Sequence, residues 1–215
     1  HLLCAEGLGQ RDHFSIMMEN NDRYLEACAA GERTGLYYTC INSYLTADEL
    51  AYILDNSESQ ILITSMLKLG VAIDAVAQSN KVRKVLVVDA GANQLPEGFE
   101  DYATACQSFP ATPIDNERLG TSMLYSSGTT GRPKGIIRPL PEQPPAQALP
   151  MYDFLGQLWH YREDMIYLSP APLYHSAPQA AVNLTIRQGR TVIIMERFDS
   201  EAFLSLIEQY RVSHS

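Results

Sequence analysis

Short runs that are apolar at every position constrain this chain most. Ile61-Leu-Ile63 within Gln60 to Thr64, and Val85-Leu-Val-Val88, offer no polar face, and strands of that kind are stable only with both faces covered, as in a parallel sheet flanked by helices. The intervening segments have helical spacing. Asp22 to Arg33 puts Tyr24, Leu25, Cys28 and Ala29 on one face, between strand-like His13 to Met18 and Leu36 to Ile41, which makes a β-α-β unit. Thr46-Ala-Asp-Glu49 pairs a capping hydroxyl with a carboxylate three residues on, ahead of Leu50, Ile53 and Leu54 at helical spacing. Met66 to Gln78 reads as one further helix. Gly91 to Pro113 is irregular, and Thr121 to Tyr125 reads as the next strand. Strands and helices alternating in this way predict an α/β fold of layered subdomains with mostly parallel sheets and right-handed crossovers.

Prolines 139, 141, 144, 145 and 150 are too dense for a helix interior or a central strand, and they mark a boundary. Residues 1–140 are expected to form a first α/β subdomain. Residues 141–215 are expected to hold the proline-rich connection and the start of a second. There Met151 to Tyr161 and Pro178 to Gln188 read as helices, with Gly189 stopping the latter, while Met165 to Ser169 and Thr191 to Met195 read as strands. Asp199 to Tyr210 is an amphipathic helix with Phe203, Leu206, Ile207 and Tyr210 expected inward. With so few strands, this second part is expected to be the less stable and to expose apolar faces.

With 215 residues and 46% apolar content the chain can bury a real core, so a small disulfide-held scaffold is excluded. The net charge of −9 leaves no broad basic surface for a nucleic-acid backbone or an anionic membrane. Cys4, Cys28, Cys40 and Cys106 match no CxxC pattern and sit in apolar runs, so each is expected as a reduced buried thiol in a cytoplasmic setting. No apolar stretch reaches the roughly 18 residues of a membrane span.

One segment carries chemistry. Ser126-Ser-Gly-Thr-Thr-Gly-Arg-Pro-Lys-Gly135 follows the predicted strand at Thr121 to Tyr125 and is expected as an exposed loop at the carboxyl edge of the sheet. Its glycines allow tight turns, its hydroxyls and backbone N–H groups can converge on one anion, and Lys134 adds a positive charge, so a phosphate chain is the natural guest. It is not a Walker loop, because Lys134 stands three residues after Gly131 and Gly135 occupies the Ser/Thr place. Nor is it a dinucleotide fingerprint, and Gly7-Leu-Gly9 lacks a third glycine. Composition alone also fits a plain surface loop of turn residues.

The order of residues from Tyr125 to Gly135 resembles the phosphate-binding signature of the adenylate-forming (AMP-binding) superfamily, which groups acyl-CoA synthetases, adenylation domains of peptide synthesis and beetle luciferases. Ala171-Pro-Leu-Tyr-His-Ser-Ala177 resembles that family's second signature, which leads to a histidine at the acyl pocket. Glu19-Asn20, Gly35-Leu-Tyr-Tyr38, Ile41-Asn42 and the stretch from Leu45 to Leu54 are similar in order to acyl-CoA synthetases. The resemblance implies that Ser126, Ser127, Thr129 and Thr130 supply donors to the β- and γ-phosphates of ATP, while Gly128 and Gly131 let the loop close on them. It makes Lys134 either an offset for charge on departing pyrophosphate or a tether of the loop. His175 would stand beside the reacting carboxylate; as a lone histidine in an apolar stretch it equally fits a hydrogen-bonded core residue.

Two departures accompany the likeness. Ile136-Ile-Arg138 runs into the proline-rich stretch instead of a Ser/Thr-His pair, and no Thr-Glu dipeptide occurs in the chain. A fragment of a larger enzyme is therefore expected: the N-terminal-domain part of an AMP-forming acid–thiol ligase. That parent would activate a carboxylic acid of the fatty-acid class with ATP and Mg2+ and pass it to coenzyme A. A peptide-synthesis adenylation domain and a non-catalytic nucleotide-binding fragment are the alternatives.

Overall fold

The computed structural model describes residues 1–126 and 132–215. After the short turn α1 (Leu2–Ala5) come β1 (His13–Met17), α2 (Asp22–Thr34), β2 (Tyr37–Cys40), α3 (Ala47–Asn56), β3 (Ser59–Ser65), α4 (Leu69–Val76) and β4 (Lys84–Val88). They are followed by β5 (Phe99–Asp101), α5 (Tyr102–Gln107), β6 (Thr121–Ser126) and β7 (Lys134–Ile136). The last elements are α6 (Pro150–Leu158), β8 (Ile166–Ser169), α7 (Ser176–Arg187), β9 (Thr191–Ile194) and α8 (Ser200–Tyr210). The chain divides into two compact units, residues 1–18 with 26–145, and residues 19–25 with 146–215.

In the first unit seven strands form one sheet in the order β5-β4-β3-β1-β2-β6-β7. Every neighbouring pair is parallel except β6 and β7. The period of two explains why the centres of β3 and β4 are apolar at successive positions. Leu62, Val85 and Val87 join Leu50, Leu54, Ala72 and Ala75 in one core beneath α3 and α4. Ile63 and Leu86, displaced by one residue, face a cavity also lined by Ala30 of α2 and Tyr102 of α5. With both faces covered, each large aliphatic side chain contributes about 1.5–3 kcal/mol. The capping box forms as expected: the Thr46 N–H donates to Glu49 Oε2 at 2.9 Å and the Glu49 N–H to Thr46 Oγ1 at 3.4 Å. Gly120 lets β6 start against α2, because a Cβ there would collide with the carbonyl oxygens of Gly31 and Leu36.

Several expectations need correction. Met66 to Lys68 form a 3₁₀ turn and α4 covers only Leu69–Val76, so the single helix to Gln78 is shorter than its pattern. The irregular stretch contains β5 and α5, with Asp101 Oδ1 capping the helix by accepting from the Thr104 N–H at 2.8 Å. In α2 it is Ala27 that is buried beside Tyr24 and Cys28, while Ala29 is exposed. Cys4 is exposed and Cys106 only partly covered; Cys28 and Cys40 are the buried pair, with sulfurs 3.9 Å apart and not joined by a disulfide. Pro150, one of the five boundary prolines, opens α6, where a missing N–H costs nothing.

In the second unit β8 and β9 form a two-stranded parallel sheet, in register from Ile166 opposite Thr191 to Ser169 opposite Ile194. The helix α7 buries Ala181, Val182 and Leu184. No residue of α8 is buried, and Tyr210, expected inward, is 44% exposed.

Candidate functional site

The phosphate-loop candidate is carried by a hairpin. Ser126 closes β6 and Lys134 opens β7, and the two are register partners of the antiparallel pair, with Tyr125 opposite Gly135. Lys134 and Gly135 are thus strand residues, a correction to the loop expected through Gly135. The reason lies partly in Gly135: its missing side chain leaves room for the Met123 methyl and the Tyr125 ring, both of which a Cβ would strike. Ser126 and Lys134 are exposed at the carboxyl end of a parallel strand, the edge at which α/β sheets hold ligands. Ser127, Gly128, Thr129, Thr130 and Gly131 lie outside the described residues.

Both flanks of the segment are braced by α3. Tyr52 and Asn56 stand four residues apart on that helix and so share a face. The Tyr125 hydroxyl donates to Asn56 Oδ1 at 2.7 Å, and the Tyr52 hydroxyl donates to the Pro133 carbonyl at 3.2 Å. The Arg132 guanidinium lies 5.0 Å from the centre of the Tyr52 ring, within cation–π range. Burial, with Tyr52 nearby, pushes the Tyr125 hydroxyl well above its ordinary pKa and keeps it a donor at neutral pH. Tyr52 and Asn56 went unnoticed in the sequence; their only trace there is a polar edge on an amphipathic helix.

His175 belongs to the second unit. It is exposed, which sets aside the core-histidine alternative, and it stands at the N-cap of α7 with backbone in the extended region. Its carbonyl accepts from the Gln179 N–H at 3.2 Å, its N–H donates to the Pro172 carbonyl at 3.2 Å, and its ring lies 4.5 Å from that of Tyr174. The segment from Pro170 to His175 is held by Asn20. That side chain accepts from the Leu173 N–H at 2.8 Å and donates to the carbonyls of Ala171 and Met195, both at 3.0 Å.

A cavity of about 480 Å³ in the first unit, bordered by Ala30, Arg33, Ile63, Leu86, Tyr102 and Cys106, contains none of the sequence-predicted site residues. Among the described residues no three His, Cys, Asp or Glu side chains gather as metal ligands. No described helix is long and apolar enough to cross a membrane.

Residues 1–215 match the AMP-binding enzyme family along their whole length. The chain belongs to the AMP-binding enzyme family. This family member is 27% identical over 208 residues to 4-coumarate–CoA ligase 1 of Petroselinum crispum, which spans 96% of this chain and 38% of that protein. It is 27% identical over 215 residues to the long-chain-fatty-acid–CoA ligase FadD13 of Mycobacterium tuberculosis H37Rv, spanning 98% of this chain and 40% of that one. The chain thus spans about two fifths of the length of these curated relatives. Its fold is similar to the inhibitor-bound N-terminal domain of FACL13 from M. tuberculosis, with a TM-score of 0.79 at 24% identity over 98% of this chain and 50% of that one. It is also similar to a fatty acyl CoA synthetase of M. tuberculosis, with a TM-score of 0.78 at 23% identity, over 98% of this chain and 39% of that one. The likeness extends over nearly all of the AMP-binding chain, an α/β fold whose larger sheet has seven mostly parallel strands.

Proposed function

We propose that the protein carrying this chain is an ATP-dependent, AMP-forming acid–thiol ligase that activates a carboxylic acid and transfers it to coenzyme A. The observation that carries the proposal is the hairpin: a Ser/Thr/Gly segment entered at Ser126 and left at Lys134, at the carboxyl end of a parallel strand in an AMP-binding family member. In the first step a carboxylate oxygen bonds to the α-phosphorus of ATP and the bond to the β-phosphate oxygen breaks, releasing pyrophosphate. In the second the thiol of coenzyme A loses its proton and bonds to the acyl carbon, and the bond to the AMP oxygen breaks.

The barrier to the first step is the charge gathering on departing pyrophosphate. Donors from Ser126, Ser127, Thr129 and Thr130, with Gly128 and Gly131 letting the backbone approach, are suited to that charge, and Lys134 supplies the offsetting ammonium. His175 lines the acid site. No described residue is assigned to Mg2+, and no step is routed through it. The acid is taken to be of the fatty-acid class: the relatives are named for a long-chain fatty acid and for 4-coumarate, both carboxylates on apolar bodies. Cysteines that match no CxxC pattern favour the cytoplasm as its place of work.

The test is pyrophosphate exchange into ATP by the protein carrying this chain, with fatty and hydroxycinnamic acids compared and coenzyme A left out. Exchange that depends on the acid, followed by AMP and acyl-CoA on adding coenzyme A, is expected. Release of ADP and phosphate in place of AMP and pyrophosphate would overturn the assignment.

A further inference from the structure

We propose that Asn20 is a positioning residue of the acid site, fixing the backbone segment that presents His175. The proposal rests on the assignment of His175 to that site. Its foundation is what the segment lacks. Ser169-Pro-Ala-Pro-Leu173 carries prolines at 170 and 172, which have no N–H, so the chain leaving β8 cannot continue a sheet ladder. Asn20 takes the place of the missing neighbour strand: its Oδ1 accepts from the Leu173 N–H, and its Nδ2 donates to the Ala171 carbonyl.

The second hydrogen of Nδ2 goes to the Met195 carbonyl, one residue beyond the end of β9, so a single carboxamide ties together the chain just past the carboxyl ends of both strands. The Met195 N–H in turn donates to the Ser169 carbonyl at 3.0 Å. From Leu173 the path to His175 is short and closed: the turn bond from the His175 N–H to the Pro172 carbonyl sets the histidine at the mouth of α7.

Only asparagine meets this demand at this reach. Two donors and one acceptor are needed on one short planar group, and the bonds themselves fix its orientation, because a flipped amide would set its oxygen against two carbonyl oxygens. Aspartate, the same size, would do the same with a buried charge. Asn20 is 7% exposed, and Leu173 and Met195 are also buried, so bonds lost here are not replaced freely by water.

The experiment compares Asn20→Asp, His175→Ala and the double variant by acid-dependent pyrophosphate exchange in the protein carrying this chain, varying acid and ATP separately. Asn20→Asp is expected to lower kcat/KM for the acid about ten-fold while the KM for ATP changes less than about two-fold, as the loss of buried bonds on one side of the reaction would. In the His175→Ala background the same substitution should add less than about two-fold, because both act through one position. A purely structural role would give equal losses in both backgrounds and no shift in the KM for the acid, and would overturn the proposal. If His175→Ala leaves the acid kinetics unchanged, the placing of His175 in the acid site fails and takes this proposal with it. If His175→Ala shifts them and Asn20→Asp does not, the role of Asn20 alone fails. Should Asn20→Asp not fold, Asn20→Ser enters the same cycle. Hydrogen exchange at the Leu173 amide of the unaltered protein then gives an independent check: slow exchange is expected, and exchange at the rate of an open amide would contradict the bond on which the proposal stands.

Discussion

In the first unit α3 buries Leu50, Ala51, Ile53 and Leu54, whereas α8 in the second, with a regular stripe at Phe203, Leu206 and Ile207, buries none of its residues. The stripes are similar, and the surfaces on offer are not. A seven-stranded sheet gives α3 and α4 a continuous apolar floor, while β8 and β9 make a floor only two strands wide. Leu204 and Met151 accordingly stay 66% and 65% exposed. Amphipathic pattern decides that a helix forms; the width of the neighbouring sheet decides how much of it is buried.

The comparison can be broken most directly at single leucines. Leu62→Ala in the middle of β3 should lower stability by about 2–5 kcal/mol in urea unfolding, and Leu204→Ala on α8 by less than about 0.5 kcal/mol. Similar costs at the two sites would contradict the contrast. Hydrogen exchange sharpens it without substitution: amides of β3 and β4 should exchange about 100-fold more slowly than those of β8 and β9, a difference of ~3 kcal/mol in local opening. Equal rates would mean that the narrow sheet is as well supported as the wide one.

Smaller effects belong to the edges of α3. Thr46→Ala removes the hydroxyl half of the capping box and should cost about 1 kcal/mol. Hydrogen bonds from the Thr46 backbone and hydroxyl hold the Glu49 carboxyl below its usual range. A depressed folded-state pKa gives stability that is present above the unfolded value of about 4.3 and lost as the pH falls through the folded one. The acid limb of the stability profile should therefore be somewhat shallower in Thr46→Ala, which keeps the backbone bond, and an unchanged limb would show that the Thr46 hydroxyl does not hold the carboxylate. Smallest is Tyr52→Phe, which deletes one bond to Pro133 and should raise the KM for ATP by about two- to ten-fold with the KM for the acid unchanged. A shift confined to the acid would detach Tyr52 from the phosphate segment.

The central strands were legible, because strands buried on both faces are largely apolar at successive positions, and so was the start of α3, because its cap is local in sequence. What escaped was short, exposed or held from far away. Phe99 to Asp101 is a three-residue strand at the sheet edge with two acids, and Lys134 to Ile136 is an exposed edge strand built around Gly135, so neither carries a periodic signal. Cys4 lies in an apolar run that turns out to be a single helical turn, which buries Leu3 and leaves Cys4 on its exposed side. Asn20 was noticed for its company, but its partners lie 151 to 175 residues on, and no local pattern can foretell a bond of that span.

The central claim, that the segment from Ser126 to Lys134 serves the departing phosphates, is tested most directly by separating the two half-reactions. Thr129→Ala and Thr130→Ala, each made in the protein carrying this chain, should slow acid-dependent pyrophosphate exchange by roughly ten- to a thousand-fold, because their donors matter most as charge builds on pyrophosphate. Acyl transfer to coenzyme A from a supplied acyl-adenylate should remain within about two-fold of the unaltered enzyme. Equal damage to both half-reactions would contradict the claim and make the segment a support of the fold.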